Sequence, residues 1–361
     1  MNIAFTSDLS GIGGGETFLI NLIECVPKET NKIILFCNSD GDLVRILSKK
    51  GIKVYIVNFL NKKSVIKNVI SIRKTLKEEK IEIIHSNGLL TSILFCIAGI
   101  GVIRNNYWTC HGQWYVLNRL TRKALKVCNK TIFCVSKACE KNLNSMGIDN
   151  TIVSNLGIPV SMYHDADKGS LRAELDIDKD TFVIATIGRF QIIKGQLKGV
   201  KAVERLIREK KKIKYLLVGD NVFGSSMDER YKNEVAEYIR KAGLEGEVLM
   251  LGERRDVKNI YKNIDLLLIP SDNESFGMVA AEALAAETPI ISTPNDGVSE
   301  ILENNPLMIA KENNEESLYL ALKRFMEDVQ VRQSLKEFEH TKWNKYDIER
   351  ITKIYMKHFK G

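Results

Sequence analysis

The sequence predicts an α/β protein made of two Rossmann-like, doubly wound domains facing each other across a cleft. Three observations lead there. The chain has 361 residues, more than one hydrophobic core usually organises, so two domains are expected. Short apolar runs alternate with amphipathic stretches, and the alternation restarts at Phe182. In the second half each apolar run stops at or near a Gly or Pro, as parallel strands do where ligand-binding loops begin. The expected domains are 1–165 and 166–342, with a linker near Ile158–Leu171. A last helical segment, 343–361, is expected to pack back across them.

Taken in order, Asn2–Thr6 is a strand, and Gly11-Ile-Gly-Gly-Gly15 a glycine loop opening a helix from Glu16 to Glu24. Strands are expected at Lys32–Cys37, Lys53–Val57, Ile81–Ser86, Asn106–Cys110 and Thr131–Val135, with a basic helix at Ser64–Glu79. The second series is Phe182–Ile187, Ile213–Val218, Val248–Leu251, Leu266–Ile269 and Pro289–Ser292. The apolar run Leu89–Ile103 is shorter than the roughly 20 residues a membrane span needs and reads as a buried helix and turn.

Apolar residues make up 44% and charged residues 27%, an ordinary globular composition. The net charge of +8 is unevenly placed: residues 1–165 carry 21 Lys and Arg against 12 Asp and Glu, the remainder 32 against 33. A basic first half suits an anionic membrane surface or a phosphate-bearing acceptor; a solvated lysine-rich face explains it equally. No helix-turn-helix, zinc-finger or RNA-binding signature accompanies the charge, so nucleic acid is not an expected partner. The seven cysteines lack CxxC spacing and sit among apolar segments, as reduced core thiols of a cytoplasmic protein do. The first residues lack a basic start and a long apolar stretch, so no signal peptide is read. The expected location is cytoplasmic, with peripheral contact at the inner face of the membrane.

Four features bear on chemistry. Gly14 and Gly15 stand between a strand and a helix, where bare backbone lets a phosphate or sugar approach the helix N-terminus. Glu16 replaces the last glycine of a dinucleotide fingerprint, and Asn38 stands where its acid belongs, which argues against an oxidoreductase. Arg189 and Lys194 leave a strand end together and can neutralise a diphosphate without a metal. Glu274 and Glu282 flank Ser-Phe-Gly-Met-Val-Ala-Ala. Eight helical residues rise about 12 Å and turn about 80°, so the two carboxylates suit the two hydroxylated ends of one extended ligand. The N–H groups of Phe276–Val279 are expected to open the helix between them and to favour a diphosphate. The DxD triplets at Asp165, Asp176 and Asp178 precede a strand rather than follow one and read as solvated loop, not as a metal site. Arg119–Lys130 and Ser64–Lys80 are amphipathic and basic, fit for a membrane surface or a packed surface helix.

Along nearly its whole length the chain resembles the retaining glycosyltransferases of the GT-B fold, glycosyltransferase family 4. The resemblance lies in Gly13-Gly-Gly-Glu16, Ile81–Ser86, Cys110-His-Gly112, Cys134-Val-Ser136, Gly188-Arg189 with Lys194-Gly195, Leu217-Val-Gly-Asp220, Glu274…Glu282 and Gly297-Val-Ser-Glu300. The Glu-x7-Glu element is the most specific of these. By resemblance, Arg189 and Lys194 bind the donor diphosphate, Glu274 faces the transferred sugar and Glu282 holds the ribose. Phe276, Gly277 and Met278 line sugar and phosphate through their backbone. His111 contacts the sugar near the reacting carbon, and Gly14 and Gly15 approach the phosphate. The catalytic set is thus His111, Arg189, Lys194 and Glu274. Departures are Asn155-Leu-Gly-Ile-Pro159 in the linker, Glu287 at a helix end, and Asn221 beside the expected nucleotide site.

The implied reaction transfers a sugar from a nucleotide-sugar, with UDP the expected nucleotide and GDP the alternative, to a hydroxyl of a glycan or lipid-linked acceptor. Cell-surface polysaccharide synthesis (O-antigen, capsule or lipopolysaccharide) is the expected setting. No metal and no cofactor is expected. A sugar-nucleotide epimerase and a non-catalytic nucleotide-binding module are the alternatives. No motif encodes the sugar, the linkage or the oligomeric state.

Overall fold

The computed structural model describes residues 1–27, 32–59, 61, 64–166, 171–221 and 225–361. The chain forms two compact units, Met1–Ile158 with Asp347–Gly361, and Pro159–Tyr346. The division thus falls at Ile158/Pro159, and the C-terminal helix belongs to the first unit. Part of the expected linker, and Asp167 of the first DxD triplet, lie outside the described residues.

The first unit is a seven-stranded parallel sheet: β1 Asn2–Ser7, β2 Lys32–Cys37, β3 Lys53–Ile56, β4 Ile83–Ser86, β5 Asn105–Cys110, β6 Thr131–Cys134 and β7 Thr151–Val153. Their order is β3-β2-β1-β4-β5-β6-β7, every pair parallel. Strands buried on both faces need continuous apolar runs, which is why the sequence shows them so plainly. β7 is absent from the sequence reading. It is three residues at a sheet edge, only half-buried, and too short to show a period.

Ala4, Ile34, Phe36 and Ile84 meet Ile72, Leu76, Leu94 and Phe95 in one core layer. The apolar segment forms the helix Leu89–Gly99, and Gly88 gives it no side-chain cap. Asp8, just beyond β1, supplies one, accepting from the N–H groups of Leu90 at 3.3 Å and Thr91 at 3.2 Å. Another layer is closed by the C-terminal helix Ile348–Lys360. Its Tyr355 stacks on Phe133 with centroids 4.0 Å apart, and the carbonyl of His358 accepts from the Tyr107 hydroxyl at 2.6 Å.

The second unit is a five-stranded parallel sheet: β8 Phe182–Ile187, β9 Ile213–Val218, β10 Val248–Gly252, β11 Leu266–Ile269 and β12 Ile290–Ser292, ordered β10-β9-β8-β11-β12. Both sheets are α/β with a switch point, where successive connections leave to opposite sides: between β1 and β4 in one, between β8 and β11 in the other. Ligand crevices in such sheets lie beyond the strand ends there.

Asp178 and Asp180, before β8, both pair with Lys212, at 2.9 and 2.8 Å, as an exposed charged loop does. Among the described residues no helix is long and apolar enough to cross a membrane.

Candidate active site

In the second unit the site begins where β8 ends. Arg189 leaves the strand, and Phe190 is buried beside it. The Gln196 side chain, also buried, donates to the Arg189 carbonyl at 2.7 Å and fixes the loop. One 3-10 turn, Ile192–Lys194, leads into the helix Gln196–Arg208. It carries Lys194 to the end of the neighbouring strand β11. There the Lys194 ammonium donates to both carboxylate oxygens of Glu274, at 2.7 and 2.8 Å, and the Ser271 hydroxyl donates to the first of them at 2.8 Å. The resemblance assigns Lys194 to the phosphates and Glu274 to the sugar; the fold joins them in one ion pair.

The loop bearing Glu274 lies against Gly297. The Gly297 N–H donates to the Glu274 carbonyl at 2.9 Å. A Cβ on Gly297 would stand 2.5 Å from that oxygen and 2.6 Å from the Phe276 nitrogen, so only glycine admits the loop this closely. Phe276 is buried edge-on against Tyr346. Gly277 has φ 92°, a left-handed backbone that breaks the helix, and the helix proper is Met278–Ala285. The helix therefore opens at Met278, not at Phe276. By position, its leading free N–H groups are those of Met278 and Val279.

Glu282 sits one turn into that helix. Tyr163 donates to one carboxylate oxygen at 2.9 Å and Tyr261 to the other at 2.8 Å. Burial pushes the Glu282 carboxyl above the ordinary carboxylate range, and the two hydroxyls oppose the rise. A carboxylate oxygen that accepts one hydroxyl keeps a second lone pair, so a ligand diol can still bind.

In the first unit the corresponding strand ends are β1, β4 and β5. Gly13, extended, caps the helix Gly14–Cys25. His111 follows β5 with its ring face over Gly15: a Cβ there would lie 3.4 Å from the ring's Cε1. Phe18 meets the ring edge-on at 6.4 Å. Asn87, just past β4, bonds to His111 Nε2 at 2.7 Å and donates to the Gly15 carbonyl at 3.2 Å. Burial holds the imidazole at about 4, so it is neutral at physiological pH.

Sequence reading missed Ser271, Tyr163, Tyr261 and Asn87. Asn87 had one available signal, its place just after a switch-point strand. The tyrosines had none, since Tyr163 and Tyr261 stand 119 and 21 residues from Glu282. Among the described residues, no three His, Cys, Asp or Glu side chains gather as a metal site.

Two parallel α/β units, each with its loops at the sheet switch point, define the GT-B class. Family models match both: "Glycosyltransferase Family 4" over 12–162 and "Glycosyl transferases group 1" over 167–341. The chain belongs to glycosyltransferase family 4 and is a glycosyltransferase. It is 24% identical to the UDP-Gal:alpha-D-GlcNAc-diphosphoundecaprenol alpha-1,3-galactosyltransferase of Escherichia coli, across 98% of this chain and 95% of that one. It is 26% identical to a lipopolysaccharide 1,2-N-acetylglucosaminetransferase of Salmonella typhimurium, across 58% and 56%. Its fold matches that of HepE from Anabaena, solved in complex with UDP, with TM-score 0.87, 20% identity and full coverage of both chains.

Proposed function

We propose that the protein transfers a hexosyl group from a UDP-sugar to a hydroxyl of a lipid-linked or lipopolysaccharide-type glycan, with retention of configuration and without a metal. The observation carrying this is the Lys194–Glu274 pair and the opening of the Met278–Ala285 helix beyond the adjacent strands β8 and β11, with Arg189 on the loop that leaves β8 and carries Lys194. Arg189, Lys194 and the helix N-terminus stabilise the charge that develops on the leaving diphosphate, as preorganised donors do. Glu274, held by Lys194 and Ser271, receives the sugar hydroxyls. Glu282 receives the ribose. Phe276, Gly277 and Met278 present backbone to sugar and phosphate. In the first unit His111 meets the transferred sugar, and Gly14 and Gly15 admit the phosphate. The near full-length similarity to an enzyme named for a diphosphoundecaprenol acceptor supports the acceptor class.

Peripheral membrane contact is part of the same reading. The first unit has no acidic residue between Glu82 and Glu140. Its helices Val65–Glu78 and Arg119–Cys128 carry the exposed Ile66, Ile70, Leu120 and Val127 beside Lys67, Lys74, Arg119, Lys123 and Lys126. Apolar residues among cations match an anionic lipid surface.

The test is a thermal-shift panel of UDP, GDP, ADP, CDP and NAD, with and without EDTA, followed by product NMR with UDP-sugars and a polyprenyl-diphosphate-linked sugar acceptor. A ligand at 100 times its Kd stabilises by about 2.7 kcal/mol. Stabilisation by UDP that survives EDTA, and an axial product from an axial donor, are expected. Stabilisation by NAD alone, or an inverted product, would overturn the reading. Sedimentation with phosphatidylglycerol vesicles but not with phosphatidylcholine vesicles checks the membrane contact.

A further inference from the structure

The contact between Asn87 and His111 decides more than where the ring sits. Gly15 offers Asn87 a backbone carbonyl, which can only accept, so the Asn87 amide must turn its NH2 group there, at 3.2 Å. Its oxygen then faces His111 Nε2 at 2.7 Å and carries no proton of its own. The proton of that bond must come from the ring. The opposite amide orientation would set two oxygens against each other at Gly15. A neutral imidazole has one N–H, so Nδ1 is left bare. The Gly15 backbone, under the ring face, and Phe18, at its edge, hold the ring in this orientation.

We propose that Asn87 is a positioning residue that fixes His111 as the Nε2–H tautomer, so that the ring meets the sugar through Nδ1 as a hydrogen-bond acceptor for a hydroxyl. This rests on the reading that His111 faces the transferred sugar.

The test is nitrogen-15 NMR of the histidine side chains in the full chain at pH 7.5, with His111→Gln to assign the signal. His111 is expected to show a pyrrole-type Nε2 and a pyridine-type Nδ1. Asn87→Leu, which deletes both bonds, is expected to give a mixed tautomer signal. It should also cut turnover of the UDP-sugar that the wild type uses at least tenfold while UDP affinity stays within threefold. Asn87→Asp, which sets a carboxylate against Nε2, is expected to raise the His111 pKa by at least one unit. Because the wild-type spectrum is itself decisive, a poorly folding Asn87→Leu leaves the proposal exposed to refutation. A protonated Nδ1 in the wild type overturns it, as does an Asn87→Leu protein with unchanged tautomer and turnover. A wild-type rate in His111→Gln, with the Nε2–H tautomer present, would sink instead the reading that His111 faces the sugar.

Discussion

Lys194 sets its ammonium between both carboxylate oxygens of Glu274 although the two stand 80 residues apart in sequence. An arriving diphosphate competes with Glu274 for that ammonium. Glu274→Gln is therefore expected to leave UDP affinity unchanged or improved while turnover falls at least tenfold, about 1.4 kcal/mol. Calorimetry with UDP and a UDP-release assay measure the two. A tenfold loss of UDP affinity would mean that Glu274 serves the nucleotide and not the sugar. Lys194→Met is expected to lose both affinity and turnover.

Tyr163 and Tyr261 occupy one lone pair on each Glu282 oxygen. Glu282→Gln is expected to weaken UDP binding about tenfold, the loss of a charge-assisted bond to a diol. Tyr261→Phe should weaken it about threefold. Because burial raises the Glu282 carboxyl, the charged form is lost at a pH above the ordinary carboxylate range as the solution is acidified. UDP affinity should fall over that acid limb, and the fall should vanish in Glu282→Gln.

Gly15→Ala separates a structural glycine from a functional one. The new methyl would rest in ordinary contact with His111, 3.4 Å from Cε1, and alanine favours a helix by up to about 1 kcal/mol. The melting temperature is expected to hold or rise while turnover falls at least tenfold, because the methyl bears on the face of the His111 ring and alters how ring and backbone meet the donor. Full activity in this variant would remove Gly15 from the donor site.

Turnover with a UDP-sugar is expected to be the same in excess EDTA as in added Mg2+ or Mn2+, the hard cations that would otherwise bind a diphosphate. Loss of activity in EDTA that Mn2+ restores would show that the charge on the leaving group is met by a metal rather than by Arg189 and Lys194.

His85 is buried between Phe5, Phe133, Tyr355 and Phe359, and burial lowers its pKa to about 3. The unfolded chain takes up this proton near pH 6.5 and the folded one does not, so stability falls as the pH drops from about 6.5 towards 3 and levels below that. The slope from one such site is on the order of 1.4 kcal/mol per pH unit. Urea melts at pH 7 and pH 5 measure it, and His85→Phe should make the profile shallower, the remaining slope including the share of His111, which burial holds at about 4.

Eleven of the twelve strands among the described residues were legible in the sequence, the clearest of them because a strand buried on both faces, such as Phe182–Ile187 or Leu266–Ile269, is apolar along nearly its whole length. The exception, Thr151–Val153, is three residues long, too short to show a period. The helix after Glu274 was legible in kind but not in its first residue. Its start depends on the left-handed backbone at Gly277 and on the Gly297 contact, which the sequence around Glu274 does not contain.

By itself, the sequence determined the two parallel α/β units, the family and the residues that carry its motifs, since these depend on local pattern and on residue type. Only the tertiary structure decided the pairings: Lys194 with Glu274, Tyr163 and Tyr261 with Glu282, Asn87 with His111. Each joins strand ends or helices brought together by the order of strands in a sheet. A hydrogen bond between distant residues is fixed by distance and direction in space, and a sequence records neither.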